Sequence, residues 1–591
     1  MKTYITLVLF FIVFSITAEV RYVSKTGSST APYTSWKTAC DSLQKCFDYC
    51  NNGDTVYVDR GLYRETIFLD NRVLTIIGID TDECIIDGTG LIGKVYSDVL
   101  LLQKYGNIIL QNITLKRKKN VNENYSYDYW NIDGYLNIKN CIFDTTSLAF
   151  LPDGESEANN CIYRNVNCAV SVMRDYKITI SNSLMSLKMW YGYQPAIVNA
   201  VWKGSFEIYN NIIYTKDIYS SRCIDLCTST GISIKNNLIY GFEAGVVAAT
   251  IGEQPDTIEI INNSIIYSNI TNSNGIYTGN LPGPVIIKNN IISGFKIGIA
   301  FGHLQTYADY NLFNNVTHVT NMPPIGEHNI VADPMFNNDT TFSFDAVDNF
   351  RLQKFSPAID AGDPSILDVD GSRSDIGMFG GPGGISYEYQ DLAPKVVKKL
   401  KAVYEPDTNR VILTWKPNTE ADLKEYCVYK DINPNFTLDS TKRVAILTDT
   451  LFYDRLEKGT QKVYYKVTAT DNSGNQSYPS AEVNVTITNV NEATITDNYE
   501  YALYQNYPNP FNPTTTISYS LKDESEVRIK IYSISGELIK AIIEGNKSKG
   551  YNETQIDLSN MASGIYLYRL EVTGKGKIPV FNDLKKMVLV K

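Results

Sequence analysis

Five polar positions recur at near-constant spacing through the middle of the chain: Lys188, Asp217, Glu243, Asn269 and Lys296. Each lies six residues past an Asn that opens a short apolar run. If those Asn residues stack in space, the five form one stripe with steps of ~5 Å. Asp217 and Glu243 are then neighbouring like charges. Such a pair raises one carboxyl pKa or recruits a cation, with Ca²⁺ the natural choice for oxygen ligands. Abstracting the proton beside a uronate carboxylate needs a neutralising cation and a base, and Lys188, Lys296, Arg164 and Arg222 are the bases at hand. The same row equally fits a solvated turn face laced with weak ion pairs.

Aromatic residues gather beside this stripe. Trp130 follows Tyr125, Tyr127 and Tyr129; Trp190, Tyr191, Tyr193 and Trp202 come next. Their rings can stack on sugars, each offering an apolar face with a polar tip, or can simply anchor loops. A third group, Asp363, Asp368, Asp370 and Asp375, forms an acidic loop that could hold Ca²⁺, although it lacks the spacing of a calcium hand. Only three His are present, too few for a multi-histidine metal centre. A net charge of −10 argues against a phosphate-tracking surface, so nucleic acid is not expected as a partner.

What must position these residues is a repeat. Asn followed by an apolar run recurs at Asn112, Asn140, Asn160, Asn182, Asn211, Asn237, Asn263, Asn290 and Asn311. The steps lie between 20 and 29 residues, too short for propeller blades and lacking the regular leucines of a leucine-rich solenoid. The runs are brief and rich in Ile, Val and Tyr, which predicts coils of three short strands stacked with apolar residues inward. Asn suits the bends because it tolerates left-handed geometry, and its amide can ladder from coil to coil. The aromatic loops fall where the repeat lengthens, and insertions on a solenoid often form its binding face. A helix is expected over Ser35 to Asn51, and the ten Cys, with no CxxC, are expected mainly as packed thiols.

Two stretches carry a resemblance. Tyr22 to Glu65, with its NNGDTVYVDRGLY passage, is similar to the opening of right-handed parallel β-helix proteins of the pectate-lyase-like superfamily. VADPMF from Val331, SPAIDAGDP from Ser356 and DVDGSRSDIGMFGG from Asp368 resemble their closing segment. The superfamily includes lyases, hydrolases, epimerases and non-catalytic adhesins, so the likeness alone chooses no activity. The chain has neither the paired Asp with Gly-His and Arg-Ile-Lys of pectin-hydrolysing relatives nor the Arg-x-Pro-x-x-Arg of pectate lyases.

The expected order is a signal peptide at 1–18, with Lys2 before an apolar run and a cut after Ala18. The β-helix with its capping helix follows at 19–385, then a linker at 386–398. Residues 399–488 resemble a fibronectin type III sandwich with Trp415 in its core. After a linker at 489–502, residues 503–591 closely resemble the type IX (Por) secretion sorting domain, through YQNYPNPFNPTTTISYSL, IKIYSISGELIKAI and ASGIYLYRLE. The fold class is thus all-β: a right-handed parallel β-helix followed by two β-sandwiches. The resemblance implies export to the extracellular space or outer-membrane surface by the type IX machinery, and no membrane span is expected in the mature chain. Three functions remain open: binding of extracellular polysaccharide, a uronate lyase, and a non-catalytic adhesin or spacer.

Overall fold

The computed structural model describes residues 18–89, 91, 101–116, 131–132, 135–144, 151–152, 154–166, 168–172, 176–187, 196–200, 204–215, 222–227, 231–249, 257–267, 273–279, 284–301, 306–321, 325–338, 347–457, 459–487, 501–506, 509, 511, 513–574 and 578–590. The expected signal peptide lies almost wholly outside them. The chain divides into two compact units, residues 1–392 with 419–421, and residues 393–418 with 422–591.

The first unit is a parallel β-helix. One coil shows how the sequence makes it. Ile232–Lys235 forms a strand with Ile232 and Ile234 inward; Asn236 turns the chain at φ 55°; Leu238–Tyr240 forms a second strand, and Ala244–Ala249 a third. Each strand pairs in parallel with its counterparts in the coils before and after, giving three long sheets. The registers stack like on like. Ile178, Phe206, Ile232, Ile258 and Val285 form one inner column of the first sheet, and Ile180, Ile208, Ile234, Ile260 and Ile287 the next. All ten are buried in one continuous core. At about 25 cal/mol per Å² of apolar surface removed from water, such columns supply the main driving force.

The repeated Asn residues split into two rows rather than one. Asn112, Asn140, Asn160, Asn182, Asn210, Asn236, Asn262 and Asn289 all have positive φ and make the bend between the first and second sheets. One position later, Asn211, Asn237, Asn263, Asn290 and Asn311 point inward as a buried amide ladder that ends on the half-buried Asn329. Each Nδ2 donates to the Oδ1 of the next, at 2.9–3.1 Å, and that Oδ1 also accepts the backbone N–H at 2.9–3.0 Å. Ser183 and Cys161 continue the row toward the N-terminus without amides. Counting from Asn182 is therefore one residue out of step with counting from Asn211, because Leu184 pairs with Ile212.

The N-terminal end is capped differently from the expectation of one helix over Ser35 to Asn51. Trp36–Thr38 is a short 3₁₀ turn and only Leu43–Tyr49 is α-helical (α1). Between them Cys40 pairs with the first strand instead: its N–H donates to Tyr22 O at 2.9 Å, and its carbonyl accepts from Ser24 N at 2.8 Å. An otherwise bare sheet edge is satisfied this way. Ser42 caps α1, and Glu65 accepts from Leu43 N and Gln44 N, an anion where the helix end is positive. Beneath it Arg21, 2% exposed, reaches Asp54 at 2.7 Å. The described cysteines are free thiols, nearly all buried, and burial raises Cys161 to about 12.

A closing segment fastens the coils from outside. Residues 331–390 lay Phe336, Phe350, Leu352, Ala358 and Ile376 against Leu238, Ile266, Ile291 and Leu312, on the outer face of the second sheet. The bend amides grip its backbone. Asn236 Nδ2 donates to Met378 O and Gly380 O, and Asn262 Nδ2 to Asp375 O and Ser374 Oγ; Asn289 Oδ1 accepts from Asp363 N.

The second unit holds two antiparallel sandwiches. In the first, Lys398–Glu405, Arg410–Lys416 and Leu451–Arg455 form a three-stranded sheet. The facing four strands are ordered Arg443–Leu447, Leu423–Asp431, Lys462–Asp471 and Val483–Thr486. Trp415 is buried edge-on to Tyr426, and Tyr465 donates its hydroxyl to Asp454. The second sandwich also has three strands and four, with Phe511 and Tyr568 in its core; Tyr568 donates to Tyr504 O and accepts from Asn506 N. No helix among the described residues is long and apolar enough to cross a membrane.

The buried ladder yields a stability prediction. Asn263→Ala removes an acceptor of Asn237 and the donor to Ile234 O, Ile261 O and Asn290, leaving buried polar groups unpaired. Thermal denaturation should show a loss on the order of 1–3 kcal/mol, whereas Asn137→Ala on the outer face should cost far less. Equal costs would mean that the amide row contributes nothing special.

Candidate functional site

Most sequence-derived candidates fall outside the described residues. These are Trp130, Trp190, Tyr191, Tyr193, Trp202, Lys188 and Asp217, together with Asn269. Glu243 and Lys296 are described and share a column of turns before the third sheet, two coils apart. Ala244 pairs with Asn274 and Asn274 with Ile297, so the residue between them is Ser273. Lys296 N donates to Ser273 Oγ at 3.0 Å, and Glu243 O accepts from Asn274 N at 3.0 Å. On the other side of Glu243's coil, Ala244 pairs with Arg222.

The acidic loop belongs to the closing segment. Asp363 Oδ2 meets Lys288 Nζ at 2.6 Å while its Oδ1 accepts from Ser365 N and Oγ. Burial alone would raise its pKa, but these partners hold it at about 2. Asp370 accepts from Ser372. Asp368 accepts from Gly381 N and Asp375 N; Asp375 accepts from Asp360 N and from the Tyr389 hydroxyl at 2.7 Å. Burial, the largest influence, raises Asp375 to about 6 and also lifts Asp368. Ca²⁺ wants six to eight oxygens. Among the described residues these four carboxylates do not converge on such a cage, and an ammonium already faces Asp363.

A more chemically organised cluster appears where the coils close. The bend row that runs Asn236, Asn262, Asn289 continues as Tyr310 and then as His328, one coil further on, since Asn311 ladders to Asn329. Coil spacing therefore stacks the two rings, with centroids 4.5 Å apart and planes 2° from parallel. Asp309, only 3% exposed, clamps His328 at two points: Oδ1 accepts its backbone N–H at 2.9 Å, and Oδ2 lies 2.9 Å from Nδ1. Tyr310 N and the Tyr307 hydroxyl also donate to this carboxylate. Burial works to raise the Asp309 pKa, yet the hydrogen bonds from His328, Tyr310 and Tyr307 prevail and hold it below the ordinary range. Gly326 permits the approach, because a Cβ there would sit 2.1 Å from the Asp309 carboxyl carbon.

Cations and open ring faces surround the pair. Lys288 Nζ lies 5.1 Å from the centre of the Tyr307 ring, and the Arg373 guanidinium 5.7 Å from that of Tyr310. Tyr307 is 49% exposed, and the His328 side chain 60%. An anion-only acceptor below, an imidazole above, aromatic faces and a guanidinium make a patch that can stack on a ring and neutralise a carboxylate. The sequence signal was the change from Asn to Tyr310 and His328 within the bend row. The spacing of Asn-led apolar runs ends at Asn311 and so does not display it.

Residues 505–579 match the secretion system C-terminal sorting domain family. A tail of this family marks proteins exported by type IX secretion to the cell surface or extracellular space and implies contact with that machinery. No curated protein matches the chain. Among solved structures, the spore cortex lytic enzyme SleM of Clostridium perfringens is 22% identical, covering 20% of this chain and 36% of its own, with a TM-score of 0.14. The chain thus spans about a third of that enzyme's length. The FN1-FN3 domains of chicken CNTN1 are 12% identical over 35% of this chain and 70% of theirs, with a TM-score of 0.14. The α-L-rhamnosidase of Dictyoglumus thermophilum is 13% identical over 33% and 29%, with a TM-score of 0.15.

The buried Asp375 carboxyl generates a pH prediction. Its folded pKa is raised from the ordinary 3.8 to about 6, so the folded protein holds that proton more tightly than the unfolded chain. The stabilisation is full below pH ~4 and is lost as pH rises through ~6, a change on the order of 2–3 kcal/mol. Asp375→Asn lacks this titration. Its melting temperature should gain on the native protein's between pH 4 and 7; a constant difference across that window would exclude the effect.

Proposed function

We propose that the chain is an exported β-helix protein that binds an acidic extracellular polysaccharide. On this reading the first unit is a right-handed helix of the pectate-lyase-like kind, produced with a cleaved signal peptide. The first sandwich is a fibronectin type III-like spacer, and its three-plus-four strand arrangement supports that assignment. The sorting tail delivers the whole to the surface.

The observation that carries the reading is the patch at the closing coils. Exposed Tyr307 and the stacked Tyr310–His328 pair offer ring faces, while Arg373 and Lys288 supply positive charge beside them. Sugar rings stack on such faces, and a uronate carboxylate suits a guanidinium. A polymer, rather than a single sugar, fits a protein built as a repeating lateral face.

The test is retention of the full chain on immobilised polygalacturonate, alginate and a neutral glucan. The acidic polymers should retain the protein and the neutral one should not. Tyr307→Ala and Arg373→Ala should each weaken retention roughly threefold to tenfold, the worth of one stacking or cation contact. No retention on any polysaccharide would favour the adhesin or spacer function instead.

A further inference from the structure

We propose that Asp54 is a receptor for the new chain terminus: the α-ammonium freed at Glu19 by cutting after Ala18 docks on its buried carboxylate. The proposal rests on the signal-peptide cleavage in the reading above and adds to it a site that holds the product. Water supplies the cut. As the Ala18–Glu19 bond breaks, Ala18 leaves as a carboxylate and the Glu19 nitrogen, taking up the protons, becomes an ammonium.

Glu19 already sits where such a terminus has to be. Its backbone N lies 2.8 Å from Asp54 Oδ1, and its carbonyl accepts from Thr55 N at 2.9 Å. From there Val20–Val23 runs parallel to Thr55–Val58, so the position of Glu19 is set by the first sheet. The Asp54 side chain is fully buried. Its Oδ2 accepts from Arg21 Nε at 2.7 Å and from Asn51 N at 2.9 Å, whereas Oδ1 is turned to Glu19 N. Burial alone would raise its pKa, but the bonds from Glu19 N, Asn51 N and Arg21 outweigh it and keep the carboxyl below its ordinary range.

Before the cut this cluster is short of positive charge. Among the described residues, the carboxylates of Asp54 and Glu19 both meet the guanidinium of Arg21, Glu19 Oε2 at 2.9 Å from Nη2. Arg21 is further committed to Pro32 O at 2.7 Å and to the Tyr49 ring, 4.8 Å from its centre. Arg72, the next cation, donates to the carbonyls of Cys50 and Asp48, and the Cys50 thiol feels the charges of Asp54 and both arginines. Two anions against one cation is an imbalance that burial makes costly. In the uncut chain Glu19 offers only a neutral amide. After the cut the same nitrogen carries a charge, the cluster balances, and the bond to Asp54 becomes charge-assisted. The cap of the β-helix is thus completed by processing.

An α-amine ordinarily titrates near pH ~7.7–8.0, and a facing carboxylate holds it charged to higher pH. The stabilisation is therefore full below pH ~7.7 and is lost as pH rises through the raised value.

The experiment first sequences the exported full chain from its N-terminus, which should be Glu19. Its α-amine is then acylated at pH 7, folded and in urea. The folded chain should react at least ~10-fold more slowly, since each unit of raised pKa removes nine-tenths of the neutral amine. A second full chain, begun at Ile16, moves the charge three residues away. It should melt a few degrees below the chain begun at Glu19, and the gap should shrink above pH ~9. In an Asp54→Asn background the two starts should melt alike; if that variant does not fold, protection of the native amine remains the readout. A start other than Glu19 overturns the cleavage reading. A start at Glu19 with an amine equally reactive in both states, or equal melting of the two chains, overturns the docking and leaves the cleavage standing. A gap that survives Asp54→Asn overturns Asp54 as the receptor.

Discussion

The hydrogen bond between one coil and the next is the constraint on which everything else in the first unit depends. Each strand is too short to be stable alone, and a parallel pair needs a long return path before it can form. Stacking resolves both problems, because every coil supplies a template for its successor. Register then becomes the property to protect, since a slip of one residue would send buried isoleucines outward. The amides at Asn211, Asn237, Asn263, Asn290, Asn311 and Asn329 guard it. Each satisfies a backbone N–H of the previous coil, all but Asn329 from a buried position.

The same register explains how function arises from repetition. A bend row of Asn serves only geometry while its side chains are alike. Where Tyr310 and His328 enter the row, the spacing that stacked amides stacks rings instead, and the preceding Asp309 becomes a buried anchor for the second ring. No separate scaffold is needed to orient the imidazole. The coil step does it, and the closing segment adds Arg373 from the side.

Much of this architecture was legible in the amino-acid sequence because apolar periodicity and left-handed Asn bends are local signals. The β-helix, Trp415 in the core of the first sandwich, and the sorting tail all follow from short windows. Finer placement is not legible for physical reasons. Two adjacent Asn rows, one for the bend and one for the ladder, look identical in a list of spacings, so a count from Asn182 starts one residue out of step with a count from Asn211. In the coil between them, Ser273 holds the position that Glu243 and Lys296 share, a placement set by strand register and not by a fixed count from the ladder Asn. The helix expected over Ser35 to Asn51 breaks because Cys40 is claimed by an open strand edge. The Asp309–His328 pair joins residues on consecutive coils, and Arg373 reaches the neighbouring Tyr310 ring from a segment further on, a meeting that no local window displays.

The closing segment also sets an order of events. Its hold on Asn236, Asn262 and Asn289 comes from residues that follow every coil they fasten. A chain made from its N-terminus lays down those coils while their clasp is still unsynthesised. Until Phe336 through Ile376 arrive, Leu238, Ile266, Ile291 and Leu312 form a greasy flank along the growing solenoid. The last stretch of this unit is thus its latch, and a nascent chain halted before it would carry an uncovered, adhesive side.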